Sequence, residues 1–161
     1  MERIKEIYDN YARLVYNYIF SITKNKELSE EIMQETFIVA INQINKFRGD
    51  CKISVWLCQI AKNILYKETH KKKIKTISIE EIELFDNSNL EETIIENDQK
   101  RKLYKAINKL DINTREVMYL RLEGNMSFKE IGKILNKTEN WVRVTFFRGK
   151  QKINGEDLNN E

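Results

Sequence analysis

Ile4, Ile7, Tyr8, Tyr11, Leu14, Val15, Tyr18, Ile19 and Ile22 recur at i, i+3, i+4 spacing. That period predicts a long amphipathic helix with a broad apolar face. Residues 24–28 read as a polar turn, and Ser29 is placed to cap a second helix, SEEIMQETFIVAINQINKF. Its inward positions are Ile32, Thr36, Phe37, Ala40, Ile41 and Ile44. Residues 48–52, with Gly49, form a loop, and Ser54 starts a third helix, VWLCQIAKNILYKETHKKK. Val55, Leu57, Ile60, Ala61, Ile64 and Leu65 are its apolar positions. Three such helices can bury one core and make a first module.

The pattern then changes. ISIEEIELFDNSNLEE, residues 77–92, is acidic, carries Asn-Ser-Asn and has no sustained helical stripe, so it reads as a linker. A helix follows from near Thr93, with Ile94, Ile95, Leu103, Ile107 and Leu110 apolar. Asn113 and Glu116 have capping-pair spacing and open a short helix through Val117, Leu120 and Leu122, which Gly124 ends. Ser127 and Glu130 form a second capping pair, and Phe128, Ile131, Ile134 and Leu135 follow at helical spacing. Asn136-Lys137-Thr138 breaks that helix, and Thr138 can cap another. Val142, Phe146 and Gly149 fall on the inner face of this last helix, and Arg143, Arg148, Lys150 and Lys152 face outward. The result is an all-α chain of two small helical domains. The first spans residues 1–76, the linker 77–92, the second 93–153, and a frayed polar tail 154–161.

Composition agrees and narrows the class. There is no proline and there are five glycines, so little interrupts helices. The chain's 161 residues suffice for two small domains. Net charge is only +3, but it is unevenly spread. Residues 46–75 carry nine Lys/Arg against two acids, and residues 78–98 carry eight acids and no base. Residues 137–153 carry five Lys/Arg against Glu139. Two basic blocks around an acidic one suggest two phosphate-facing surfaces. Cys51 and Cys58 are read as reduced thiols, and with His70 the only histidine a zinc site built mainly from His and Cys is disfavoured. Glu2, Lys5, Glu6 and Asp9 break any signal-peptide run, and no apolar stretch approaches membrane length, so the expected location is the cytoplasm.

Helix, tight turn and basic helix form a helix-turn-helix, whose second helix enters a DNA major groove. Glu139, Asn140 and Arg143 lie near its N-terminus, the usual place of base contact, and Arg148, Lys150 and Lys152 are placed for phosphates. Trp141 fits either the core or a contact on thymine methyls. The bland reading is a solvated basic face on an ordinary amphipathic helix. Upstream, Lys62, Asn63, Tyr66 and Lys67 put a polar and aromatic face beside Lys71, Lys72 and Lys73. Taken alone, that lysine run reads as a helix end solvated by cations.

Longer stretches carry a family resemblance. SEEIMQETFIVA is similar to the AEDLxQExF pattern of sigma-70 transcription initiation factors, and FRGDCKISVWLCQIAKN to their FxxWLxxIAxN stretch. LDINTREVMYLRLEGNMSFKEIGKILNKTENWVRVTFFRGKQKI resembles their C-terminal helix-turn-helix pattern. Together these cover nearly the whole chain outside linker and tail, and the order fits the short extracytoplasmic-function (ECF) type. Size and composition also resemble the clostridial toxin- and bacteriocin-gene subgroup. The resemblance implies a sigma factor that binds bacterial core RNA polymerase and reads two promoter elements. It assigns the minus-ten element to Arg48, Asp50, Lys52 and Asn63 with the helix carrying Lys62, Tyr66 and Lys67, where an unstacked base needs a pocket and the strand needs cations. It assigns polymerase docking to Glu30, Glu31, Gln34 and Glu35, and the minus-thirty-five element to the last helix. That helix departs from the family at Trp141, where a Thr is usual, and at Val144 and Thr145, where Ser and Arg are frequent. Phe47 and Trp56 can both be core, and for Trp56 the core is preferred. The chain is expected to be non-catalytic, with no cofactor and no metal, and open to an anti-sigma partner. The rivals are a stand-alone helix-turn-helix regulator with an N-terminal sensor or dimerisation domain, and an enzyme. One histidine, with no nucleophile elbow and no glycine-rich phosphate loop, disfavours the enzyme.

Overall fold

A computed structural model describes residues 2–72 and 98–159 of the chain. The expected linker 77–92, the expected helix start near Thr93, and Lys73 lie outside the described residues. Among those described there are seven α-helices, one 3-10 turn and no strand. Helix α1 is Glu2–Thr23, α2 Lys26–Gln43, the 3-10 turn Ile44–Lys46, and α3 Ile53–Lys72. They are followed by α4 (Asp98–Asn108), α5 (Ile112–Leu122), α6 (Phe128–Leu135) and α7 (Glu139–Asn159).

The first three helices pack as the periodicity demands, with Val15, Tyr18 and Ile19 of α1 against Ile32, Phe37 and Ala40 of α2. Val55, Leu57, Cys58, Ala61 and Leu65 of α3 complete the core. The α1–α2 turn is tighter than the sequence implies. Lys24 ends α1 in the left-handed region, φ 54°, and Asn25, not Ser29, is the N-cap, its side chain accepting from the Leu28 N–H. Ser29 lies one turn inside and is fully buried, its hydroxyl donating to the Asn25 carbonyl at 2.7 Å. Ile41 also differs from expectation. The inward row of α2 is Ile32, Met33, Thr36, Phe37 and Ala40, which leaves Ile38 and Ile41 outside, 59% and 45% exposed. Helix α3 opens at Ile53, one residue before Ser54.

In the second half, α5 is capped by Asp111 rather than Asn113. The Asp111 carboxylate accepts from the Thr114 N–H at 3.2 Å and from its hydroxyl at 2.6 Å. Asn113 stands inside the first turn, so Glu116 has no cap to close. The capping box at Ser127 and Glu130 is formed in both directions. Asn136, φ 55°, ends α6, and the Thr138 hydroxyl accepts from the Trp141 N–H at 3.1 Å to start α7. Helix α7 runs on to Asn159, past the expected end at Ile153, which is itself buried against the core.

The two halves share one continuous apolar core. Helix α5 lies on α1, and α6 lies on α3. The rings of Tyr18 and Tyr119 stack across this boundary, with centroids 6.4 Å apart. Around the stack, the Tyr18 hydroxyl donates to Glu116 at 3.0 Å and Lys62 Nζ donates to the same oxygen at 2.7 Å. Lys24 Nζ donates to Asn108 Oδ1 at 2.8 Å, and Lys52 Nζ lies 3.6 Å from Glu130.

Candidate nucleic-acid interface

The position of α7 follows from what it buries. Val142, Phe146, Gly149 and Ile153 face α5 and α6. Gly149 permits a close approach to α5: a Cβ there would lie 2.9 Å from both Met118 Sδ and Thr114 Cγ2. Glu139, Asn140, Arg143, Val144, Arg148, Lys150 and Lys152 are therefore turned outward and exposed, and Thr145 is half-buried at the edge. Trp141 is neither core nor free. It is half-buried, with Lys137 Nζ 5.1 Å from its ring centroid. Arg143 pairs with Glu139 at 3.3 Å on the surface, an i,i+4 contact weak enough to give way to a ligand. Lys152 lies 3.9 Å from Asp111.

One surface residue of this helix escaped the sequence reading. Phe147 is 50% exposed and continues the stripe Asn140, Arg143, Val144 at helical spacing. The signal was the spacing itself, masked by the adjacent Phe146, which is core. Arg121 supports the entry to the motif from behind. Its guanidinium stacks on Phe128 at 4.4 Å and donates to the Met126 carbonyl at 2.9 Å, fixing the loop before α6.

The second surface lies on the first half. After the 3-10 turn the chain bends through Gly49, φ 77°, before α3. Phe47 and Trp56 come together with ring centroids 4.7 Å apart. Trp56 is not core as expected. It is half-buried, and with Gln43, Lys46, Phe47, Arg48, Asp50 and Cys51 it lines a pocket of about 240 Å³. The pocket gathers two of the three loop candidates, Arg48 and Asp50. Lys52 and Asn63 are exposed but do not line it. Along α3, Asn63, Tyr66 and Lys67 are exposed, and the Tyr66 ring meets His70 edge-on at 4.2 Å. Lys71 and Lys72 close α3. Lys62, expected to be free for phosphate, is instead held by Glu116.

A third surface runs along α2. Glu30, Glu31, Gln34 and Glu35 are all exposed, and the apolar Ile38 and Ile41 extend the same face. Tyr8, 41% exposed, packs its ring on Phe37 at 4.9 Å. Ile41 was read as inward because an apolar residue at helical spacing reads as core, and Ile38, off that row, was not singled out.

Three titrating groups define the local environment. Burial, then the nearby Arg115, lowers the Lys24 ammonium to about 7. Burial pushes the Cys58 thiol up to about 12, which makes it a poor nucleophile. Hydrogen bonds from Ser127 draw the Glu130 carboxyl below its ordinary value. Among the described residues, no cluster of three His, Cys, Asp or Glu is placed to hold a metal ion. None of the described helices is long and apolar enough to cross a membrane.

A basic helix-turn-helix packed on a helical module with an aromatic pocket defines a helical DNA-binding protein. Comparison with known proteins agrees. The description "Sigma-70 region 2" matches residues 7–73, and "Sigma-70, region 4" matches residues 100–153. The ECF RNA polymerase sigma factor SigM of Bacillus subtilis is 34% identical over 153 residues, covering 93% of this chain and 92% of that protein. SigX of the same organism is 27% identical, covering 92% and 80%. Among solved structures, the sigma factor RpoE of Bartonella quintana, in complex with the anti-sigma factor NepR, superposes with a TM-score of 0.70. The identity is 16% and the coverage 95% of each chain. CnrH, in complex with the cytosolic domain of CnrY, gives 0.67 at 17% identity, with 100% and 92% covered. The chain belongs to the sigma-70 family of RNA polymerase sigma factors, on its ECF branch.

Proposed function

We propose that this protein binds bacterial core RNA polymerase in the cytoplasm and directs it to promoters by reading two DNA elements. The observation that supports this is the presence in one chain of two separate exposed faces whose side chains suit nucleic acid. One is the exposed α7 stripe of Asn140, Arg143, Val144 and Phe147, and the other is the Phe47–Trp56 pocket beside α3. Residues 1–76 form the module for polymerase and the minus-ten element, 77–92 the linker, and 93–153 the module for the minus-thirty-five element, with a tail from 154.

In this reading α7 enters the upstream major groove with Glu139, Asn140, Trp141 and Arg143 toward base edges. Val144 and Thr145 supply apolar contact, and Arg148, Lys150 and Lys152 neutralise phosphates. The pocket takes an unstacked base of the downstream element, with Arg48 and Asp50 at its wall. Lys52, Lys62, Asn63, Tyr66, Lys67, Lys71, Lys72 and Lys73 track the strand. Glu30, Glu31, Gln34 and Glu35, with Ile38 and Ile41 between them and the 3-10 turn, dock on the polymerase. An anti-sigma protein is a further partner. The Ile-, Lys- and Asn-rich composition supports a place beside the clostridial toxin- and bacteriocin-gene sigma factors. None of these roles is catalytic.

The test combines the protein with core polymerase and genomic fragments and maps transcript starts. Promoter-specific starts that depend on the added protein are expected. No such starts, together with tight sequence-specific binding by the free protein, would instead identify a stand-alone regulator.

A further inference from the structure

Helix α7 leaves two large apolar side chains on its outward face. Val144 is 38% exposed and Phe147 50%. They stand three apart on the helix, which makes them neighbours, about 5–6 Å between Cβ atoms. Phe147 is held from below by aromatic edges, its ring centroid 5.7 Å from that of Phe146 and 6.3 Å from that of Phe128. Half of its surface stays open after those contacts. The Arg143 guanidinium lies 5.8 Å from the Phe128 ring centroid, so a charged side chain and an apolar one share the same aromatic support. A lone exposed apolar residue needs no explanation. Two adjacent ones, flanked by exposed Arg143 and Arg148 on a basic face, form a patch with a polar rim.

The chemistry of the pair limits what it can recognise. Neither side chain has a hydrogen-bond donor or acceptor. In the major groove adenine, guanine and cytosine are distinguished by their donors and acceptors, and thymine alone adds an apolar group, its 5-methyl. An apolar side chain on a base edge therefore reads that methyl or reads nothing. A serine at position 144 would bond to several bases, and Val144 cannot. The spacing also fits. Three residues advance about 4.5 Å along a helix, against about 3.4 Å between stacked base pairs. Val144 and Phe147 can thus face two successive pairs.

We infer that Val144 and Phe147 are a methyl-reading pair that makes this sigma factor select thymine at two successive positions of the upstream element. The occupant of the patch is the thymine-bearing edge of the duplex, because the cations around it suit the phosphates on either side. Val142 and Phe146 fix the opposite face of the helix in the core, and Phe128 and Phe146 brace the Phe147 ring. The pair is thus ordered before DNA arrives and loses little freedom on binding. Uracil, which lacks the methyl, leaves the pair without its contact. 5-Methylcytosine presents the methyl on a different base. This inference rests on the proposed place of α7 in the upstream major groove and adds the chemical group that is read there.

The experiment uses the full chain with core polymerase at subsaturating concentration. A randomised upstream library first identifies the preferred positions, and two adjacent thymines are expected among them. Deoxyuridine then replaces each thymidine in turn, which removes the methyl and keeps the base pair. Initiation should fall about fourfold per methyl, the scale of burying one such group. At the same positions 5-methylcytosine should initiate better than cytosine by a similar factor. Val144→Ser should abolish the thymine-to-uracil difference at one of the two positions, and Phe147→Ala at the other. That difference is a ratio within one variant, so a general loss of folded protein does not move it. If Phe147→Ala fails to fold by circular dichroism, Val144→Ser, a change at an exposed position, carries the test. Equal initiation on thymine and uracil at every upstream position in the wild type overturns the inference. A folded variant that keeps the difference at both positions overturns it too, and assigns the methyls to another side chain such as Trp141 or Thr145. Initiation indifferent to all upstream sequence would instead overturn the underlying reading of α7, and the inference with it.

Discussion

At the scale of single residues, the boundary between the halves is where charge is buried. Lys24 is the clearest case. Its backbone is left-handed, and its ammonium donates to Asn108 Oδ1 close to buried Arg115. Its folded pKa, about 7, is below its ordinary value of 10.5. Between those two values the unfolded chain holds a proton that the folded chain lacks, so stability rises with pH through this window. Below about 7 both states are protonated and the dependence from this group vanishes. Cys58 acts in the opposite sense, but only above its ordinary value of 9.0, where the unfolded thiol ionises first. Urea unfolding should therefore show about 1 kcal/mol more stability at pH 8.5 than at pH 7. Lys24→Met should flatten that difference and raise stability at pH 7. A wild-type protein with no rise over this interval would refute the assignment.

At the scale of elements, the helix-turn-helix depends on one close approach. A Cβ on Gly132 would lie 2.6 Å from the Lys137 carbonyl oxygen, a backbone atom that cannot rotate away. The Lys137 N–H also donates to the Gly132 carbonyl at 2.9 Å, so turn and glycine are tied together. Gly132→Ala should cost about 1–3 kcal/mol of stability, read as a fall in melting temperature. On the recognition helix, Arg143 and Arg148 should separate by kind. Arg143→Ala should change preference at the upstream element by about 1–3 kcal/mol between best and worst sequences. Arg148→Ala should weaken all sequences alike and lower the salt slope. Transcription from a randomised upstream library by the reconstituted holoenzyme reads both. Equal loss on every sequence for Arg143→Ala would make it a phosphate contact only.

These elements show what local pattern can and cannot reveal. The capping box at Ser127 and the cap at Thr138 were legible because each is followed by a clean helical stripe. Asn25 and Asp111 were not, because competent caps crowd together there: Asn25 with Ser29, and Asp111 with Asn113. Which one caps depends on which face the next helix must bury, and that is set by its neighbour. Ile41 was hidden for a related reason. An apolar residue on an amphipathic helix reads as core unless the width of the buried row is known.

At the scale of the whole molecule, the two halves are coupled by the stacked Tyr18 and Tyr119 and by a common apolar core. Calorimetry of the full chain should give one cooperative transition. The isolated segment 1–76 should melt lower and bind a hydrophobic dye, since Tyr18 and its neighbours lose their cover. Two independent transitions in the full chain would show that the shared core is not cooperative.

The amino-acid order by itself determined the helices, the turn of the helix-turn-helix, the two basic blocks and, through its motifs, the family. Those features are local: side-chain period, caps and charge runs act within a few residues of one another. Only the tertiary structure decided which charged groups are free. Lys62 and Glu116 each read as solvent-facing residues on a helix or as a cap partner, and they become a buried pair because α5 lies on α1 and α6 on α3. Burial and Coulomb energy depend on distance in space, and across 54 residues of chain no local pattern encodes that distance.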